Sequence, residues 1–258
     1  MKWFDAGVNL LDNRLDPETV IADAARAGVD KICLITTHPD EWDQAAALYA
    51  AFPDSLCYTV GVHPHNAKDV EETHYARLKA CATAPGVVAI GECGLDFNRN
   101  FSPPAIQKTV FTRQLEIAAE MNLPVYLHER DAFDAQQACL NPFLQTLKGG
   151  IAHCFTGDKA TMQAYLDMGL YIGITGWVCD PKRGVALREA VPSLPLDRLV
   201  LETDAPYLFP KTLRPRKKHN SPASVPHIAE AVAELLQTTP AQISLNSYAN
   251  SCRLFGLG

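Results

Sequence analysis

VVAIGECGLDF, residues 87–97, changes character halfway along. Its first half is an apolar run of strand length, and its second half sets Glu92 and Asp96 among small residues. A carboxylate placed where a buried strand runs out is costly unless a cation, a proton or a hydrogen-bond donor compensates it. Glu92 therefore needs a partner. Gly91 and Gly94 leave room for another group to approach the backbone closely. Taken alone, Glu92 reads equally well as a structural group, capping the strand or pairing with an arginine, and as a functional one.

The rest of the chain repeats the pattern. Short apolar runs recur at 3–10, 31–37, 57–63, 87–92, 124–129, 150–155, 170–175 and 198–204, eight in all. Helical segments stand between them, such as 17–29, 40–52, 105–122 and 159–169. Gly28, Asn122 and Gly169 are suited to close three of these helices. Strand then helix, repeated eight times, predicts a (β/α)₈ barrel of the TIM type, with an open doubly wound sheet as the alternative. No repeat, low-complexity block or linker divides the chain, so residues 1–258 are expected to form one domain. The least regular region, FPKTLRPRKKHNSPASVP at 209–226, precedes an expected eighth barrel helix and a terminal helix.

Composition narrows the function. At 258 residues, 47% hydrophobic and 20% charged, the chain can bury a large core. A net charge of −6 argues against coating nucleic acid through bulk positive charge. Eight cysteines lie scattered without a Cys-x-x-Cys pair, which fits reduced thiols and a cytoplasmic protein. The opening MKWFDAGVNL lacks the apolar core of a signal peptide, and no run approaches the roughly 18 apolar residues of a membrane helix.

In a barrel of this kind chemistry sits where strands give way to the following helices. That face collects residues 5–9, His63, His65, Glu92, His128, His153 and Asp204. A lone histidine there is more often structural, and Asp204 before Ala205 and Pro206 suits a turn. Six such groups at one end of a barrel point instead to a metal site. Mixed oxygen and nitrogen ligands admit Mg²⁺, Mn²⁺ or Zn²⁺. Cys93 and Cys154, each next to a candidate ligand, would point to the opposite side of an extended strand and pack in the core.

GVHPH (61–65), GECGLDF (91–97), LHERDA (127–132), HCFTG (153–157) and ETDAPYL (202–208) together resemble the signature blocks of the TatD-type metal-dependent deoxyribonucleases. The likeness extends over nearly the whole chain. It implies an amidohydrolase-like TIM barrel that hydrolyses phosphodiester bonds, acting from the 3′ end of single-stranded DNA, with RNA as a further substrate and DNA repair or degradation as the setting. Position by position, it makes Glu92, His128 and His153 metal ligands and Asp204 a ligand or the general base, with Glu92 and Asp204 the essential pair. His63 and His65 either face the phosphate or rebuild part of the metal shell. Most of the family opens with Asp-x-His-x-His, whereas this chain has Asp5, Gly7 and Asn9. Fewer nitrogen donors favour a hydrated Mg²⁺ over Zn²⁺, which makes Mg²⁺ the expected ion, with Mn²⁺ or Zn²⁺ as the alternatives.

For the strand itself, Arg130 is placed to meet a phosphate. Lys211, Arg214, Arg216, Lys217 and Lys218 form either a path for the backbone or a solvated loop. Trp177 and Phe97 are candidate base-stacking residues or rim packing. A monomer meeting DNA 3′ ends, with no membrane partner, is the expectation. Another hydrolase on the same scaffold, cleaving an amide, an ester or an aminoacyl-tRNA, and a barrel decayed into a binding module are the alternatives.

Overall fold

The computed structural model describes residues 1–257. Strands and helices alternate as β1 (Trp3–Val8), α1 (Pro17–Arg26), β2 (Val29–Leu34), α2 (Trp42–Ala51), β3 (Leu56–Val60) and α3 (Glu72–Cys81). There follow β4 (Val87–Asp96), α4 (Pro104–Met121), β5 (Val125–Arg130), α5 (Phe133–Leu140), β6 (Gly150–Ala152) and α6 (Lys159–Asp167). The chain finishes with β7 (Tyr171–Ile174), α7 (Val185–Ala190), β8 (Leu199–Leu201), α8 (Val225–Leu235) and α9 (Pro240–Phe255). The eight strands make one sheet in the order of the chain. Its topology is the (β/α)₈ order expected from the runs.

Local chemistry fixes many of the element ends. The Asp16 side chain accepts from Thr19 N at the start of α1, with Pro17 in the first turn, and Asp158 accepts from Thr161 N at the start of α6. Asn122 ends α4 in the left-handed conformation, and Gly28 and Gly169 follow α1 and α6 with φ of +82° and +80°.

The chain divides into two compact units. One comprises Met1–Leu34, Asp54–Leu56 and Cys154–Gly258, and so holds β1, β2, β7 and β8. Within it the first strand meets the chain just beyond the last: Asp204 N donates to Gly7 O at 2.9 Å and Asn9 N to Ala205 O at 2.8 Å. The other unit, Ile35–Pro53 and Cys57–His153, holds β4, β5 and β6 with most of β3. Its strands β3 to β6 pair in parallel, with Val60 opposite Ile90, Gly94 opposite His128 and Asp96 opposite Arg130.

Two expectations need correction. Glu92 does not end its strand, because β4 runs on to Asp96. Gly91 and Gly94 make this possible: both have positive φ, and a Cβ on them would run into the carbonyl oxygens of Tyr126 and His128 on β5. Nor does Cys154 pack in the core like the fully buried Cys93. Strand β6 already ends at Ala152, so alternation no longer governs Cys154, which is half-buried with a φ of +45°.

Candidate metal centre

The second unit gathers its polar groups around one carboxylate. Glu92, 5% exposed, has its Oε1 at 2.9 Å from His128 Nδ1, 3.4 Å from His63 Nε2 and 3.8 Å from His153 Nε2. Beside it, Asp96 places Oδ2 at 2.8 Å from His65 Nε2 and 3.3 Å from His128 Nε2. His63, Glu92 and His128 each offer an atom close enough to its fellows to hold a single ion.

Buried glutamines hold the strand ends that carry these groups. Gln114 of α4 clamps Val62, accepting from its N at 2.8 Å and donating to its O at 3.0 Å. Gln107 does the same for Asp96, and Gln136 of α5 accepts from Leu95 N at 3.0 Å. Where the strand ladder stops, backbone groups still need partners, and side-chain amides supply both a donor and an acceptor. After β3 the chain turns into a short 3₁₀ segment, Pro64–Asp69, entered through His63.

The imidazoles differ in what their second nitrogen does. His63 Nδ1 accepts from His65 N at 3.1 Å. A neutral imidazole carries one proton, so that proton sits on the Nε2 that faces Glu92. Burial, opposed by Glu92, pushes the His63 pKa down to about 4, which keeps the ring neutral. His153 instead sets Nδ1 at 2.7 Å from the buried Tyr126 hydroxyl. That contact permits an Nδ1–H donor with a lone pair left on Nε2, as metal-ligating histidines commonly have. His128 faces carboxylates with both nitrogens. Burial alone would lower its pKa, but hydrogen bonds to Asp96 and Glu92 outweigh burial and raise it to about 9. Burial likewise pushes the Glu92 carboxyl upward, and the imidazoles of His63, His153 and His128 outweigh it to hold the group well below the usual range.

Two buried carboxylates thus share one imidazolium. The donor set of carboxylate oxygens and imidazole nitrogens fits a divalent cation in chemistry as well as in charge.

Of the residues expected at the site, Glu92, His128, His153, His63 and His65 come together in this unit. Arg130 ends β5 with an exposed side chain, opposite Asp96 in register. Asp204 belongs to the other unit, where its Oδ1 accepts from Asn9 Nδ2 at 2.9 Å. Asn9 thus orients a carboxylate at the place where most of the family has a histidine. Asp96 was visible in the opening stretch without an assigned role. Its 1% exposure and its two histidine partners make it part of the centre. The glutamines left a fainter trace, as polar residues on the inner faces of their helices.

Both aromatic candidates have a basic side chain beside the ring. Arg183 lies 4.3 Å over the Trp177 ring, and Phe97 is half-buried with Lys108 Nζ 5.8 Å from its centroid. The basic side chains of Lys211, Arg214, Arg216, Lys217 and Lys218 are all exposed.

A family model described as TatD related DNase matches residues 4–256. The 3′-5′ ssDNA/RNA exonuclease TatD of Erwinia billingiae (strain Eb661) is 48% identical over 258 residues, covering 98% of this chain and 99% of its own. The protein of the same name from Salmonella typhimurium (strain LT2) is 46% identical over 257 residues, covering 98% of each chain. Among solved structures, YjjV, a TatD homologue from Escherichia coli K12, superposes with a TM-score of 0.91 at 26% identity, covering 99% of this chain and 98% of its own. The fold, the carboxylate and imidazole cluster and the match along nearly the whole sequence agree, and the chain belongs to the TatD-related DNase family.

Proposed function

We propose that this protein is a metal-dependent exonuclease that removes nucleotides from the 3′ end of single-stranded DNA or RNA, with Mg²⁺ as its ion. The observation that carries the reading is the Glu92 carboxylate with three imidazoles turned towards it, in a chain 48% identical to a 3′-5′ ssDNA/RNA exonuclease. In this reading the enzyme acts as a monomer in the cytoplasm.

Glu92, His128 and His153 hold the ion, with Asp204 as a fourth ligand or as the base. A divalent ion, when bound, relieves charge on the nonbridging phosphate oxygens and makes water beside it more acidic. The residues of the chain do the rest. In the role of base, Asp204, oriented by Asn9, takes the proton of the attacking water. His63 donates its Nε2 proton to a phosphate oxygen, since its Nδ1 already accepts from the backbone. This favours the phosphate-facing role for His63 over a place in the metal shell. His65, held by Asp96, and the exposed Arg130 steady the same phosphate.

A 5′-labelled single-stranded oligonucleotide tests the reading. Protein stripped with EDTA and dialysed is expected to leave it intact, and added Mg²⁺ should restore stepwise shortening from the 3′ end. Undiminished cleavage after stripping would overturn the metal dependence, and shortening from the other end would overturn the polarity.

A further inference from the structure

Phe101 lies in the loop between β4 and α4 and keeps 55% of its surface exposed. A single exposed apolar side chain is ordinary. This one meets the His65 ring in a T-shaped contact, with centroids 4.8 Å apart, and His65 in turn meets His63 at 4.3 Å. Two ring-to-ring steps therefore separate it from His63, one of the imidazoles that face Glu92.

The backbone on either side of Phe101 is already fixed. Asp96 Oδ1 accepts from Asn98 N at 3.0 Å and from Arg99 N at 2.8 Å. Asn100 Nδ2 donates to Phe97 O at 2.7 Å. Ser102, fully buried, donates its hydroxyl to His65 O and accepts from Lys68 N, both at 2.9 Å. Gln107 Nε2 adds a bond to Ser102 O at 2.8 Å. The contacts that place Asp96 and His65 also place Phe101, so a ligand stacking on it loses little freedom to loop ordering. Arg99 and Arg130 are exposed on the same loop and on the strand beside it, and suit an anionic backbone.

The geometry points to Phe101 as a base-stacking residue, which takes a nucleobase of the strand whose phosphate meets His63 and His65. The inference rests on the nuclease reading and deepens it by naming how the enzyme grips a nucleotide without reading its sequence. Every base has a π face, so an exposed phenyl ring accepts any of them.

Steady-state kinetics on two single-stranded oligonucleotides test it, one normal and one with abasic residues at its 3′ end. On the normal strand Phe101→Ala should raise KM roughly tenfold with kcat little changed, the size of a lost base–aromatic stack, and Phe101→Trp should restore it. On the abasic strand wild type and Phe101→Ala should be equal. Loss of the same factor on both substrates would mean that Phe101 acts through His65 and not on a base, and no loss on the normal strand would end the proposal. In either of those cases wild-type cleavage leaves the nuclease reading standing. Wild type inert on the normal strand would remove both.

Discussion

His63 and His128 face the same Glu92 oxygen, yet they are different chemical objects. His128 donates from both nitrogens to carboxylates, so a cation replacing its proton at Glu92 exchanges one positive charge for another. His63 cannot make that exchange while His65 N occupies its Nδ1, because a neutral ring must keep its proton on Nε2. The two positions should therefore separate in a metal titration. Glu92→Gln should weaken Mn²⁺ binding by calorimetry at least tenfold and abolish turnover. His63→Gln should leave Mn²⁺ affinity within about twofold and lower kcat by roughly 10² to 10³, the usual worth of a lost donor to a developing charge. Equal loss of Mn²⁺ affinity in the two variants would make His63 a ligand.

At the scale of the element, β4 explains how buried carboxylates reach one side of the sheet. The positive φ of Gly91 and Gly94 lets β4 lie against the Tyr126 and His128 carbonyls, and the ladder slips register between Gly91 and Cys93. Gly149 offers a control, with a φ of +115° and nothing within 4 Å of its would-be Cβ. Gly149→Ala should cost only backbone strain, about 1–2 kcal/mol by denaturant unfolding. Gly94→Ala adds a collision with the His128 backbone and should cost about 4 kcal/mol or more, or prevent folding. Comparable small losses at both positions would show that β5 yields to the extra atom. The two glycines were legible as close approaches because small residues in an apolar run have few other uses. The length of β4 was not, since Glu92 reads as a terminus until its imidazole partners are known. Those partners lie 29 to 61 residues away in sequence, at His63, His128 and His153. Periodicity sees neighbours along one element and is blind to such a meeting.

For the whole molecule, strand order was readable from alternation, and Gly28, Asn122 and Gly169 marked helix ends for reasons local to each. The side chains that fasten the first strand to the last were not, because Asp5 and Thr203 stand 198 residues apart. Asp5 is fully buried, and its carboxyl accepts from Thr203 N at 2.9 Å, Thr203 Oγ1 at 2.5 Å and Gly7 N at 3.3 Å. Burial, only partly offset by these bonds, raises its pKa from an ordinary 3.8 to about 7. The folded protein thus binds this proton more tightly than the unfolded chain does. The stability it contributes is complete below about pH 4 and is lost as pH rises towards and beyond 7. Asp5→Asn imitates the protonated acid, with its amide placed to donate to Thr203 Oγ1 and its carbonyl still accepting from Thr203 N. Unfolding followed from pH 4 to pH 8 should find the variant near wild type at the acid end. It should become the more stable protein by a few kcal/mol, on the order of the linkage for such a shift, at the alkaline end. A difference that stays constant across that range would mean that Asp5 is ionised throughout and that the seam holds a charge, not a proton.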